Sequence, residues 1–98
     1  MKNDEFIAIH VFARHQGVDP DFIHALHERG LIELIVVQEE PCARCEELAR
    51  IEQLARLHYD LDINLEGLEA ISHLLERMDA VQEDLRAMRE RLQLYEGE

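Results

Sequence analysis

The sequence predicts a mainly α-helical fold: two short helices around a tight turn, a short β-hairpin, a third helix, and a long C-terminal coiled-coil helix. Three observations predict it. Apolar residues recur at spacings of three and four over most of the chain. Helix-stopping and helix-capping residues stand at few, well-separated places: Gly17, Asp19-Pro20, Gly30, Pro41 and Asp62-Ile63-Asn64. A final stretch from Ile71 to Tyr95 keeps a heptad pattern without a slip.

From about Ile9 to Gln16, the residues Ile9, Phe12 and Ala13 share one helical face. Gly17 ends that helix as a C-cap. Asp19 suits the N-cap of a second helix and Pro20 its first position. This helix runs to about Arg29, with Phe22, Ile23 and Leu26 on its inner side, and Gly30 stops it. Two short helices joined by such a turn make a helix-turn-helix. Leu31 to Gln38 is apolar and β-branched and predicts a strand. A weakly marked return strand around 42–45 completes a short hairpin, the wing of a winged helix. Glu46 to about Tyr59 predicts a third helix, on Leu48, Ile51, Leu54, Ala55 and His58. Asp60 to Ile63 is a break. Asn64 caps a fourth helix that reaches about Tyr95. Glu66 and Glu69 complement its positive end, and Arg86, Arg89 and Arg91 lie toward the other. Residues 1–63 and 64–98 are expected to form one structural unit.

The seam of the last helix is Ile71, Leu74, Met78, Val81, Leu85, Met88, Leu92 and Tyr95, spaced 3-4-3-4-3-4-3. Such a seam is about 37 Å long at 1.5 Å per residue. A short domain has little to cover its distal half. A second copy, paired antiparallel as a homodimer, would cover it. The alternative is a helix folded back on its own domain.

Charge bears most on function. Twenty-two acidic residues face ten basic ones, a net charge of −12. That surface repels phosphate backbones and anionic lipid headgroups and attracts basic partners. It equally serves solubility alone. Its placement separates the two. The second helix sets Asp19, Asp21 and Glu28 against Arg29 alone. The hairpin adds Glu33, Glu39 and Glu40, with no base before Arg44. A DNA reader needs lysine and arginine on those elements, because phosphate contacts supply much of its affinity. A cationic protein surface is therefore the expected ligand, and nucleic acid is not. Two groups of acids are candidates for the contact. Asp60, Asp62, Glu66 and Glu69 surround the break, and Asp19, Asp21 and Glu28 lie on the second helix. Any one of them could equally be a solvated carboxylate. Hot spots are rarely charges alone, so Tyr59 and Leu61 are candidate apolar anchors, with core burial the equal alternative.

Little in the chain points to chemistry. Cys42 and Cys45 form a lone C-x-x-C, and a structural metal site needs about four ligands. His24 and His27, three apart, are the only arithmetical complement near it. No metal and no cofactor are expected, and the two cysteines read as thiols partly buried at the start of the third helix. Ser72 is the only serine, there is no threonine, and no glycine elbow surrounds it. No glycine-rich phosphate loop is present. Enzymatic activity is not expected. No apolar run approaches the roughly 20 residues of a membrane span. Met1 to Glu5 lacks the basic region and apolar core of a signal peptide, so a cytoplasmic location is expected.

The order of helix-turn-helix, wing, helix, break and long helix resembles the MerR group of winged-helix regulators. Ala13-Arg-His-Gln-Gly17-Val18 is similar to the turn of that motif. Glu28-Arg29-Gly30-Leu31-Ile32 is similar to the segment closing its recognition helix, with the glutamate one position nearer the glycine. Where those proteins carry a DNA-gripping arginine this chain has His24, and Ala25 and Leu26 stand in place of the tyrosines that follow. Arg56 to Ile71, continuing through Leu74-Leu75-Glu76-Arg77-Met78, resembles the chaperone-modulator family CbpM. That resemblance implies a small adaptor that binds the J-domain of a DnaJ-like or CbpA-like co-chaperone. It also implies that binding blocks stimulation of DnaK, and that the basic second helix of the J-domain meets an acidic surface.

Overall fold

The structure is a computed structural model and describes residues 5–96. The outer ends of the two expected segments, 1–4 and 97–98, lie outside the described residues. The elements in order are β1 (Phe6–Ala8), α1 (Ile9–Gln16), α2 (Pro20–Glu28), β2 (Ile35–Val37), β3 (Glu40–Arg44), α3 (Cys45–Leu61) and α4 (Leu65–Glu96).

The helix-turn-helix closes as its residue types require. Gly17 adopts φ 68°, a left-handed conformation that glycine enters without a Cβ penalty. The Val18 amide then reaches back to the Ala13 carbonyl at 2.9 Å. Asp19 Oδ1 accepts from the Asp21 amide at 2.9 Å and caps α2. At the other end of α2, Gly30 takes φ 77° and the Leu31 amide donates to the Leu26 carbonyl at 2.9 Å.

The sheet departs from expectation in two ways. The strand expected over Leu31–Gln38 shrinks to Ile35–Val37. Leu31 is spent on closing α2, and Ile32 turns into the core, so the ladder begins only at Ile35. A third strand, β1, has no counterpart among the sequence expectations. It is three residues long and pairs with β3, and the order in the sheet is β1-β3-β2. Phe6 lies opposite Arg44 and Ala8 opposite Cys42, and Ile35 faces Cys42 from the other side. The hairpin turns on Gln38 and Glu39, with φ 52° and 67°. Two positive φ values fit a two-residue turn of the primed kind that matches strand twist. Pro41 sits opposite Val36, one pair beyond the turn. There its missing N–H points away from β2 and past the end of β1, so no ladder bond is lost.

α3 also differs from expectation. It extends through Leu61, so Tyr59, Asp60 and Leu61 lie in its last turn and the break narrows to Asp62–Asn64. Asp62 ends the helix at φ 59°. The amides of Asp62 and Ile63 both turn back to the Leu57 carbonyl. The His58 Nδ1–H donates to the Ile63 carbonyl at 2.8 Å, which hooks the connection onto the helix that precedes it.

The core gathers Ile9, Phe12, Phe22, Ile23, Leu26, Ile32, Ala43, Ile51 and Leu54, with Leu68 from α4. Asn64 starts α4: its Oδ1 accepts from the Gly67 amide at 2.8 Å. Gly67 is needed there, because a Cβ would stand 2.7 Å from Ile63 Cγ2. Leu68 and Ser72 are buried. Arg29 bridges to Glu69 at 2.9 Å and to Glu66 at 3.5 Å, and Arg50 reaches Glu76 at 3.3 Å. From Glu76 to Glu96 every residue of α4 is exposed.

The junction between body and α4 can be probed by stability measurements. Asn64→Ala removes the cap and should cost about 1 kcal/mol in urea denaturation. The Ser72 hydroxyl is buried with no hydrogen-bond partner. Ser72→Ala should therefore stabilise the protein by about 1 kcal/mol, because it removes an unpaired polar group. A destabilised Ser72→Ala variant would show that the hydroxyl is engaged.

Candidate protein-interaction surface

α2 occupies the place of a recognition helix, and its charge is settled by its neighbours. Between Pro20 and Glu28 it carries no lysine or arginine. Asp21 and Glu28 are exposed on it, and Asp19 is exposed at its cap. Arg29, the one base at its C-terminal end, is held by Glu66 and Glu69 of α4. The hairpin strands and their turn, Ile35 to Ala43, also carry no base, while Glu39 and Glu40 project from them. Arg44 stands at the far end of β3, paired with Phe6. Among the described residues no positive strip runs across helix and hairpin. The surface is acidic where a nucleic-acid reader would be basic.

The candidate acids divide by local role. Asp60 and Asp62 are exposed, Asp62 at the left-handed residue that ends α3. Glu66 and Glu69 are occupied by Arg29. Asp19 is the α2 cap, and its backbone amide donates to Tyr59 Oη at 3.4 Å. That contact joins the two expected groups of acids, which lie far apart in the sequence.

Tyr59 belongs to an aromatic cluster. The Phe22 and His58 rings stack at 4.6 Å, and Tyr59 meets Phe22 edge-on at 5.4 Å. Its ring therefore braces α2 against α3 while 47% of it remains exposed. Leu61 is 64% exposed and stands apart from the residues packed on the core. Both are placed where a partner could meet them.

Sequence reasoning missed a groove beside Tyr59. It has a volume of about 320 Å³ and lies between the α1–α2 turn and α3. Phe12, Val18, Ile51 and Ala55 give it an apolar floor, and Glu52, Arg56, Tyr59 and Asp60 form its rim. The sequence carried little signal of it beyond Glu52 and Arg56, four residues apart and so neighbours on one helical face.

The α4 seam is the other notable surface. Ile71 is half-buried against the body. Leu74, Met78, Val81, Leu85, Met88, Leu92 and Tyr95 are between 48% and 85% exposed. The helix does not fold back on its own domain.

The residues considered for chemistry are dispersed. Cys42 is buried in β3, and Cys45 is exposed at the first position of α3, so only one of the two thiols is covered. Among the described residues no three histidine, cysteine or acidic side chains come together as metal ligands. Ser72 is buried within α4. Among the described residues no helix is long and apolar enough to cross a membrane.

No curated protein and no solved structure matches the chain. A family model described as "MerR HTH family regulatory protein" matches residues 7–90. That stretch holds the whole helix-turn-helix, the hairpin, α3 and most of α4. The chain belongs to the MerR family of helix-turn-helix regulatory proteins.

Proposed function

We propose that this chain is a regulator that acts by binding a cationic protein surface, and that its partner is the J-domain of a DnaJ-type or CbpA-type co-chaperone. One observation carries the reading. The only arginine or lysine at the recognition helix, Arg29 at its C-cap, is spent on two glutamates of the chain's own fourth helix, while Asp19, Asp21, Asp60 and Asp62 stay exposed. Such a face steers in a basic partner and sets its orientation. The groove beside Tyr59 takes an apolar side chain of that partner, and the acids on its rim meet adjacent bases. The resemblance of residues 56–78 to chaperone modulators names the J-domain, whose basic second helix supplies the required charge. Occupying that helix would mask it from DnaK, so regulation needs no chemistry from this chain. The exposed α4 seam serves self-association into a homodimer.

Family membership favours a second reading, a DNA-binding transcriptional regulator. The two readings differ in one experiment. Titration of a purified J-domain into the full chain by calorimetry should show saturable binding that weakens with salt. Asp60→Lys reverses an exposed rim charge and should weaken binding about tenfold at low salt, with a smaller effect as salt rises. Duplex promoter DNA should give no shift at about 150 mM salt. Nanomolar DNA binding at that salt, or no heat with any J-domain, would reverse the order of the two readings.

A further inference from the structure

We infer that Arg56 selects the partner at the groove beside Tyr59. The groove takes a basic helix that sets one apolar side chain on its floor and one carboxylate against this arginine. The inference rests on the function proposed above and deepens it, by naming what the docked segment must carry.

The floor and walls set the kind of segment. Phe12, Ile51 and Ala55 are buried beneath the groove, and its volume is about 320 Å³. That lies at the small end of ligand cavities, with room for one large side chain but not for a whole element. Its walls are α3 and the α1–α2 turn, and among the described residues no strand borders it. An extended segment would find no sheet edge there to pair with. A helix satisfies its own backbone and lays a side chain into a groove of this kind.

The charges set what that helix carries. The charged residues that line the groove all stand on one wall, as a single row along α3. Glu52, Arg56 and Asp60 follow at intervals of four, about 6 Å apart at 1.5 Å per residue. The facing wall, Gln16 to Val18, is uncharged. Of the ten described residues that line the groove, Arg56 is the only base. It is exposed, and the spacing of four puts a carboxylate in reach on each side. Yet among the described residues none of the three has an ion-pair partner. Arg29 and Arg50 differ, since glutamates of α4 hold both. The Arg56 guanidinium is therefore free to meet an incoming carboxylate.

A row of alternating sign discriminates as well as attracts. A uniformly basic segment gains at Glu52 and Asp60 and is repelled at Arg56. A phosphate backbone gains at Arg56 alone and is repelled by both flanking acids. A segment whose bases stand on either side of one carboxylate gains at all three places. The net charge of −12 draws in cationic partners of every kind, and this one arginine supplies the local choice among them.

Calorimetry of the full chain with a purified J-domain at low salt tests this through the sign of the effect. Arg56→Glu adds two negative charges to the −12 of the chain. Attraction by overall charge alone would make that variant bind a cationic partner more tightly. The inferred contact instead makes it bind at least about fivefold more weakly, because two carboxylates then face each other. Arg56→Gln should lose about threefold, and Arg56→Lys, which keeps the charge, should stay within about twofold of wild type. Arg44→Glu makes the same change of net charge at the far end of β3, and should bind as tightly as wild type or more so. Weakened Arg56→Glu and Arg56→Gln beside an undiminished Arg44→Glu support the inference. If both Arg56 variants bind as tightly as wild type, or more tightly, the inference is overturned and the J-domain reading stands. A wild-type chain that binds no J-domain overturns that reading and the inference with it. The urea midpoint of each Arg56 variant should match that of wild type, because the side chain is exposed. Affinity lost only in step with the midpoint overturns the inference as well.

Discussion

The first three turns of α4 are fastened to the body by a buried leucine and a shared guanidinium, and both candidate surfaces depend on that attachment. Leu68 is fully enclosed by the helix-turn-helix and α3. Burying it is worth about 2 kcal/mol. The Arg29 bridges to Glu66 and Glu69 are exposed on at least one side, and such pairs contribute at most about 1 kcal/mol each. Burial therefore sets where α4 sits, and the ion pairs decide what remains on the surface. They remove the one base from the end of α2. The burial of Leu68 also fixes the line along which α4 leaves the body, and from Glu76 onward nothing described of its own chain covers it.

A single helix thus has two chemically distinct parts. Its first turns are acidic and face the guanidinium at the end of α2. Its distal part alternates signs, carries an unbroken apolar seam, and has almost no net charge. An acidic body far from neutrality favours capture of a cationic partner and opposes contact with another acidic body. A nearly neutral helix with flanking charges of both signs can meet its own copy without that penalty. Segregating the two properties along 32 residues lets one chain offer a seam for self-association at one end and stay strongly acidic at the other.

Several features are legible in the sequence because they are local. Gly17, Asp19, Pro20, Gly30 and Asn64 each act within a few residues, and each does in the structure what its residue type suggests. The heptad seam is a repeat along one helix and needs no partner to be seen. The features that the sequence hides are those set by distant residues. Three residues of β1 look like the lead-in to α1, and only the distant β3 makes them a strand. Leu31 to Leu34 have strand composition, but Ile32 gains more from the core than from a ladder. Tyr59 to Leu61 stay helical because Phe22 and the Asp19 amide hold the Tyr59 ring. The Arg29 clamp joins residues forty apart, and the sequence offers only two glutamates spaced by three.

Family membership and ligand are separate matters here, since one fold can serve different partners. Binding to a phosphate backbone draws its affinity from the counterions that lysine and arginine displace. Neither the recognition helix nor the hairpin turn offers an unpaired lysine or arginine for that exchange. Freeing Arg29 for a phosphate would leave Glu66 and Glu69 unpaired beside an approaching anion, so the gain of one contact would be opposed by two repulsions. Arg50 is in the same position, because its partner is Glu76. A cationic protein reverses each of these terms: the exposed carboxylates become the attracting groups, the Arg29 clamp can stay closed, and the groove beside Tyr59 gives apolar burial that a duplex cannot supply. On the proposed reading, the shape inherited from a nucleic-acid reader is kept, and the sign of its surface selects the partner.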